Sequence, residues 1–294
     1  MQAPPQKITS AIAKSDDGGI QITFAIPFPV IEEARKEAAL EIGKDIEVPG
    51  FRKGKAPLDK LISHIPENTL LEKTLARIIP KVTADAINEH KIKPAIYPKF
   101  ELLKAKEGSA WEIRAITCEI PEFELGDYKK TVGGGAAAKS IWVPGKDKDQ
   151  TSRELTREEK EQRVIKILLE SIKVIIPKVL IEEEVNARLS QLLARLEKLG
   201  LTLEGYLASI GKTPETLRGE YQEQARGAVT LELILTKIAD GEGLKIESGQ
   251  IDAAITASSA DRKLAEQLDT PEKRRLVMAV LKRRAALESL VSLI

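Results

Sequence analysis

The chain has 294 residues, of which 31% are charged and 42% hydrophobic. That length suits two domains, and that balance suits soluble domains with buried cores. Lys and Arg number 46 against 45 Asp and Glu, a formal net charge of +1 that argues against a general polyanion binder but leaves room for a local basic patch. Cys118 is the single cysteine, which excludes an internal disulfide framework and a multi-cysteine zinc site. With only His64 and His90, a His-based metal centre or triad is not expected. Met1–Ser10 has no apolar h-region, so no secretory signal is expected. No run approaches the roughly 18 apolar residues that span a bilayer, and the expected compartment is a reducing cytoplasm.

The first elements read as strands. Ile8–Ala13 and Ile20–Ile26 are β-rich, and Asp16-Asp17-Gly18-Gly19 between them is a hairpin signal. Pro27 and Pro29 stop the second strand. From Val30 to about Ile46 the period becomes helical, with Ile31, Ala34, Ala38 and Ile42 on one face. Val48-Pro49-Gly50 ends that helix. Further helices are expected over Leu58–Ile65 and Asn68–His90, the latter kinked or divided at Pro80. Phe100–Leu103 and Trp111–Ile120 read as two more strands around a turn near Lys106-Glu107-Gly108. This order predicts an α+β domain over residues 1–130 with a mostly antiparallel sheet.

Residues 131–150 carry Gly133-Gly134-Gly135, three alanines and Pro144-Gly145, a composition that predicts a flexible linker. Trp142 is expected to pack locally within it. Residues 151–294 read as an all-α domain. All five Phe lie at or before Phe123, so its core must be aliphatic. Thr156-x-x-Glu159 is a capping box. Pro177 opens a helix that Gly200 closes, and Thr202 caps a short helix ending at Gly211. Thr213-Pro214 and Thr270-Pro271 each place a cap before a proline, and Ser248 opens a helix between them.

The most informative segment is Gly50-Phe51-Arg52-Lys53-Gly54-Lys55-Ala56-Pro57, between two helices. A short loop tip cannot bury a phenyl ring beneath itself, so Phe51 is expected to be exposed. Gly50 and Gly54 permit a tight backbone. Arg52, Lys53 and Lys55 place three cations within four residues. The physical reading is an apolar anchor ringed by positive charge, aimed at an acidic or phosphate-rich partner. The plainer alternative is an ordinary glycine-containing turn with solvated charges.

That stretch resembles the ribosome-docking signature of the trigger factor family. The flanking order of elements resembles the family's ribosome-binding domain. Pro177–Val185, Leu201–Leu207 and Gly211-Lys212-Thr213-Pro214-Glu215 resemble its arm region. The resemblance implies that Phe51, Arg52 and Lys53 meet the ribosomal protein beside the exit port and nearby ribosomal RNA, with Gly50, Gly54, Lys55 and Pro57 completing the loop. It implies unfolded nascent polypeptides as clients, a weak homodimer as a further state, no membrane partner and no cofactor. One departure stands out. Family members usually carry an FKBP-like prolyl isomerase domain between docking domain and arms, and an interval of about 20 residues is far short of the roughly 50 a domain needs. The isomerase domain is therefore expected to be absent, and no catalytic residues are assigned.

The helical half supplies the second candidate surface. Leu189, Leu192, Leu193, Leu196, Leu231, Ile234, Leu235, Val277 and Leu281 lie in its apolar runs. Many must be core, since tertiary packing holds such helices. The family's arms form an open cradle, and the resemblance implies that some of these side chains stay exposed to hold clients. Lys273-Arg274-Arg275 and Lys282-Arg283-Arg284 make the last helix basic, read either as a solvated face or as a nucleic-acid or membrane contact. Cys118 reads as a buried thiol. Two alternatives stay open: a ribosome-independent helical adaptor that recruits one folded partner, and a chain retaining residual isomerase activity.

Overall fold

The first chain reversal is made where Gly18 takes φ 90°, a left-handed conformation that suits glycine. In the computed structural model, which describes residues 7–52, 54–106, 108–137, 155–257 and 270–294, this turn joins β1 (Thr9–Lys14) to β2 (Gly19–Ile26). With β3 (Lys99–Lys104) and β4 (Trp111–Cys118) they form an antiparallel sheet in the order β1-β2-β4-β3. The register pairs Ile12 with Ile22 and Ile22 with Ala115. Alternate residues Ile20, Ile22, Phe24 and Ile26 of β2, and Trp111, Ile113 and Ala115 of β4, are buried, so one face is apolar throughout.

That face packs on two helices, α1 (Phe28–Ile42) and α3 (Glu67–Glu89), through Ile31, Ile78, Val82 and Ala86. Pro27 occupies the N-cap of α1, with proline in the first turn where no N–H is needed. Pro80 lies inside α3 without dividing it, contrary to one sequence expectation. Ile78 and Val82 on either side belong to the same core cluster, and their burial holds the helix continuous. Helix α1 stops at Ile42 rather than near Ile46 because Gly43 follows. A Cβ there would stand 2.7 Å from both Leu61 methyl carbons. Only a bare backbone lets α2 (Leu58–His64) close against α1.

The chain divides into two compact units. One holds the residues up to Ile120 together with Pro177–Leu180, and the other holds Pro121–Ile176 and Ile181–Ile294. The boundary thus falls ten residues before the expected one at 130. The cause is packing: Phe123, Leu125 and Tyr128 pack against the core of the helical unit, and the Lys237 ammonium lies 4.3 Å over the Phe123 ring.

The first part of the expected linker is helical. Helix α4 (Tyr128–Ala137) runs through Gly133-Gly134-Gly135. Three glycines are poor helix formers, and tertiary contact overrides them. Val132 is fully buried beside Val164 and Leu168, and the Tyr128 hydroxyl donates to Glu242 at 3.1 Å. Residues 138–154, including Trp142, lie outside the described residues.

The helical unit continues with α5 (Arg157–Ser171), whose first turn is a capping box between Thr156 and Glu159. Helix α6 (Lys178–Lys198) ends in a reversal at Gly200, φ 67°, where the Leu201 and Gly200 N–H groups donate to Leu196 O and Glu197 O. Helices α7 (Leu203–Ile210) and α8 (Pro214–Gly241) are capped by Thr202 and Thr213, as expected. Helices α9 (Ser248–Ala257) and α10 (Pro271–Val291) complete the described chain. The main core joins Val164 and Leu168 of α5, Ile234, Leu235 and Ile238 of α8, and Ala286 and Leu290 of α10.

Two titratable groups of the sheet unit report on its turns. Burial pushes the Cys118 thiol up to about 11, with a further push from the Asp17 charge, so it is an inert core thiol. Asp17 accepts from Ser15 Oγ, from Lys178 N–H at 2.9 Å and from Gly19 N–H at 3.1 Å. These bonds, that from Ser15 first, hold its carboxyl near 2 instead of the ordinary 3.8. A carboxyl depressed in the folded state stabilises fully above its unfolded value, and that contribution disappears as pH falls through the folded value. The unfolding free energy measured in urea is therefore expected to fall more steeply between pH 4 and pH 2 (roughly the window between the two values) in the wild type than in Asp17→Asn. Equal slopes would show that these bonds do not favour the ionised form.

Candidate functional site

The loop between α1 and α2 is held at its base and free at its tip. Val48 is buried with Ala38, Ala39, Leu61, Ile65 and Leu70, and Ala56 and Leu58 pack against the same cluster from the other side. Two tight turns connect these anchors: Phe51 N–H donates to Val48 O at 3.0 Å and Lys55 N–H to Arg52 O at 2.9 Å. Gly50 and Gly54 take φ 84° and 76°. No atom lies within 4 Å of a Cβ built on Gly50, so glycine is needed for backbone conformation and not for room.

At the tip the Phe51 ring is 42% exposed, and Arg52 and Lys55 are exposed beside it. Lys53 lies outside the described residues. Pro57 caps α2 at its start with an extended backbone. The described part of the loop thus presents an uncovered aromatic ring next to cations. Such a surface can insert a ring into an apolar recess while the cations meet carboxylate or phosphate.

The apolar candidates of the helical half separate into two groups. Leu196, Ile234 and Leu235 are buried, which removes them from any client surface. Leu196 sits near the α6–α7 reversal, where Leu207 and Leu217 are also buried, while Ile234 and Leu235 belong to the main core. Leu231 is half-buried against that core, and Val277 and Leu281 pack against Ile251 and Ile255 of α9. Leu189 and Leu192 are half-buried and Leu193 is exposed.

Sequence periodicity missed the most open leucines of α6 and its turn. Leu199 and Leu201 are 65% and 52% exposed on either side of Gly200. Position beside Gly200 was no sufficient signal, since Leu244 beside the similar reversal at Gly243 packs against the main core. Leu276 and Val280, four apart on α10, are exposed too.

Four of the six cations on the basic face of α10 are paired. Arg274 pairs with Asp252 of α9 at 2.6 Å, Arg283 with Glu232 of α8 at 2.7 Å, Lys282 with Asp240 of α8 at 3.5 Å, and Arg284 with Glu288 at 3.3 Å. Arg274, Arg283 and Lys282 fasten the helix to its neighbours, which weakens the reading of α10 as a recruiting surface. The histidines carry no relay. His64 Nδ1 lies 3.0 Å from Lys60 O. His90 Nε2 lies 3.0 Å from Ser10 Oγ, and Glu89 reaches the serine hydroxyl, at 3.3 Å. Among the described residues no group of three or more metal-ligating side chains comes together, and no helix is long and apolar enough to cross a membrane.

Comparison with known proteins agrees with this architecture. Residues 9–133 match the family model described as bacterial trigger factor protein, and residues 148–292 match that of the bacterial trigger factor protein C-terminus. Residues 134–147 alone separate the two matched spans. The trigger factor of Limosilactobacillus reuteri strain DSM 20016 is 31% identical over 152 residues, 52% of this chain and 34% of that protein. That of Lactococcus lactis subsp. cremoris strain MG1363 is 32% identical over 122 residues, covering 42% of this chain and 29% of that one. The Streptococcus agalactiae serotype III protein is 35% identical over 121 residues, 41% of this chain and 28% of that one. The chain therefore spans about a third of the length of the curated relatives it matches. A solved chain from work on promiscuous substrate recognition in folding and assembly by the trigger factor chaperone superposes with a TM-score of 0.60 at 13% identity, covering 97% of this chain and 99% of that one, a likeness of fold. With the N-terminal and C-terminal models matched in chain order over nearly its whole length, the chain belongs to the bacterial trigger factor family.

Proposed function

We propose that this chain is an ATP-independent, ribosome-associated chaperone of the cytoplasm. It docks beside the nascent-chain exit through Phe51, Arg52 and Lys53, meeting a ribosomal protein and nearby ribosomal RNA, and shelters emerging polypeptide on apolar surfaces of its helical unit. The observation that carries the reading is the Phe51 ring, 42% exposed at the tip of a loop whose base is buried. A lone exposed ring is common on a protein surface, and it is Arg52 and Lys55 exposed beside it that make this one a candidate anchor for an acidic or phosphate-rich partner. Family membership supports the same reading. Leu193, Leu199 and Leu201 supply exposed apolar area at the end of α6. Each such side chain contributes at most about 1.5–3 kcal/mol when a client covers it. An unfolded client loses chain freedom on binding, so contacts are weak, several at once, and reversible. Release then needs client folding and no hydrolysis. A weak homodimer off the ribosome belongs to the same proposal, since the same leucines can cover one another.

The chain is proposed to act without prolyl isomerisation. Residues 134–147 between the two matched spans are too few for a further domain of roughly 50 residues.

Three measurements test these statements. Replacing Phe51, Arg52 and Lys53 together with alanine is expected to weaken co-sedimentation with ribosomes by at least about thirtyfold, the effect of losing a 2 kcal/mol hot spot. Undiminished co-sedimentation would remove the docking assignment. Changing Leu193, Leu199 and Leu201 to glutamine is expected to lower suppression of aggregation of an unfolded test protein severalfold, with unfolding free energy altered by only about 0.5 kcal/mol or less per exposed site. Full suppression by that variant would place client binding elsewhere. In refolding limited by proline isomerisation the chain is expected to leave the slow phase uncatalysed, and acceleration would overturn the non-enzymatic reading.

A further inference from the structure

The antiparallel sheet has two outer strands, β1 and β3, and their open edges are built differently. Strand β3 follows Pro98, carries Lys99, Glu101 and Lys104, and shifts register between Leu102 and Lys104. A proline, charges and a bulge are features that keep a strand edge from pairing with another chain. Strand β1, Thr-Ser-Ala-Ile-Ala-Lys, has none of them before its last residue, and that lysine, Lys14, binds Glu119 at 2.9 Å. It pairs with β2 one for one, from Thr9 with Ala25 to Lys14 with Ile20.

Two bonds at the turn fix which backbone groups of β1 are free. Ser15 N–H donates to Gly19 O at 2.8 Å, and Glu119 N–H donates to Gly18 O at 2.9 Å. Residues that exchange hydrogen bonds alternate along an antiparallel ladder. Counting back from Ser15, Ala13, Ala11 and Thr9 aim N–H and C=O at β2. Counting on from Gly18, the even-numbered residues of β2 aim theirs at β4, which leaves Gln21, Thr23 and Ala25 to meet those three. Ser10, Ile12 and Lys14 therefore aim their backbone groups away from the sheet, and no turn or loop bond meets them among the described residues. The side chains beside this edge are apolar on the helix-facing side: Ile8 and Ile12 pack against the core. The Ser10 hydroxyl on that side contacts Glu89 and His90 at the end of α3.

Donors and acceptors repeating about every 6.8 Å along one line match the backbone of an extended polypeptide, which presents the same pair of groups at the same interval. We propose that β1 is a client site, at which an extended segment of unfolded polypeptide adds to the four-stranded sheet as a further strand. The proposal rests on the chaperone reading above and gives it a backbone-directed site apart from Leu193, Leu199 and Leu201. Main-chain bonds to Ser10 and Ile12 accept any sequence without proline at the bonded positions. Alternate side chains of the segment lie beside Ile8 and Ile12, so alternation of apolar and polar residues is favoured.

The test uses the full chain and a capped peptide of alternating valine and threonine with lysine ends, followed by titration calorimetry and residue-resolved amide exchange. In the free chain the Ser10 and Ile12 amides are expected to exchange fast while those of Ala11 and Ala13 are protected. With peptide at about ten times its Kd, exchange at Ser10 and Ile12 is expected to slow about tenfold. Ser10→Pro deletes an N–H that β2 does not use and is expected to weaken peptide binding about tenfold, or about 1.4 kcal/mol. Ser10→Ala removes only the hydroxyl and binds as wild type. The exchange measurement on the wild type decides the matter even where Ser10→Pro fails to fold. Peptide binding that leaves Ser10 and Ile12 exchange unchanged and is lost on changing Leu193, Leu199 and Leu201 to glutamine would overturn the proposal and leave the chaperone reading standing. Equal binding of the same peptide with its amide nitrogens methylated would overturn it too, since such a peptide cannot donate to a strand. Protection of both amides in the free chain that rises with protein concentration would give the edge to a second copy instead. A chain that neither binds the peptide nor suppresses aggregation of an unfolded test protein would remove the chaperone reading, and this proposal with it.

Discussion

The contact between Leu61 and the bare backbone of Gly43 is the constraint on which the exposed loop depends. It ends α1, sets how closely α2 approaches, and closes the cluster that buries Val48 at the start of the loop. A loop with Val48 buried on one side and Ala56 and Leu58 half-buried on the other has its path decided by its ends. The residues between cannot fold back over themselves, because two tight turns at Gly50 and Gly54 use up the available chain. Exposure of Phe51 is therefore a consequence of packing several residues away.

Charge tells a parallel story. The chain carries nearly equal numbers of both signs, so local pairing decides where charge is felt. On α10 the cations meet Asp252, Glu232 and Asp240 and serve to hold helices together. Exposed pairs of this kind contribute about 0–1 kcal/mol each, so they orient α10 more than they stabilise it. At the loop tip Arg52 and Lys55 have no ion-pair partner among the described residues. Two basic runs that look alike in sequence thus differ in how far the chain's own acids pair them.

Some apolar side chains within helices meet a facing helix, as Ile234 and Leu235 do in the core, and others, Leu193 and Leu276 among them, do not. Leu199 and Leu201, on either side of the reversal at Gly200, also stay in water. The exposed apolar area is modest and spread out.

Local chemistry was legible in the residues alone. The Asp17-Gly18 hairpin, the Thr156–Glu159 capping box, the Thr-Pro helix starts and the glycine-flanked loop each depend on neighbours within a few positions, and the structure has them where the text put them. Decisions made by distant partners were not legible. Composition made Gly133–Gly135 a linker, while contact of Val132 with Val164 and Leu168 made it helix. Pro80 had every local reason to break α3, and burial on both sides kept it whole. The amino-acid sequence by itself determined the elements, their caps and the loop that carries Phe51, because those rest on short-range sterics and hydrogen bonds. Only the tertiary structure decided which leucines are core and which cations are free, because burial and ion pairing are set by residues tens to hundreds of positions away.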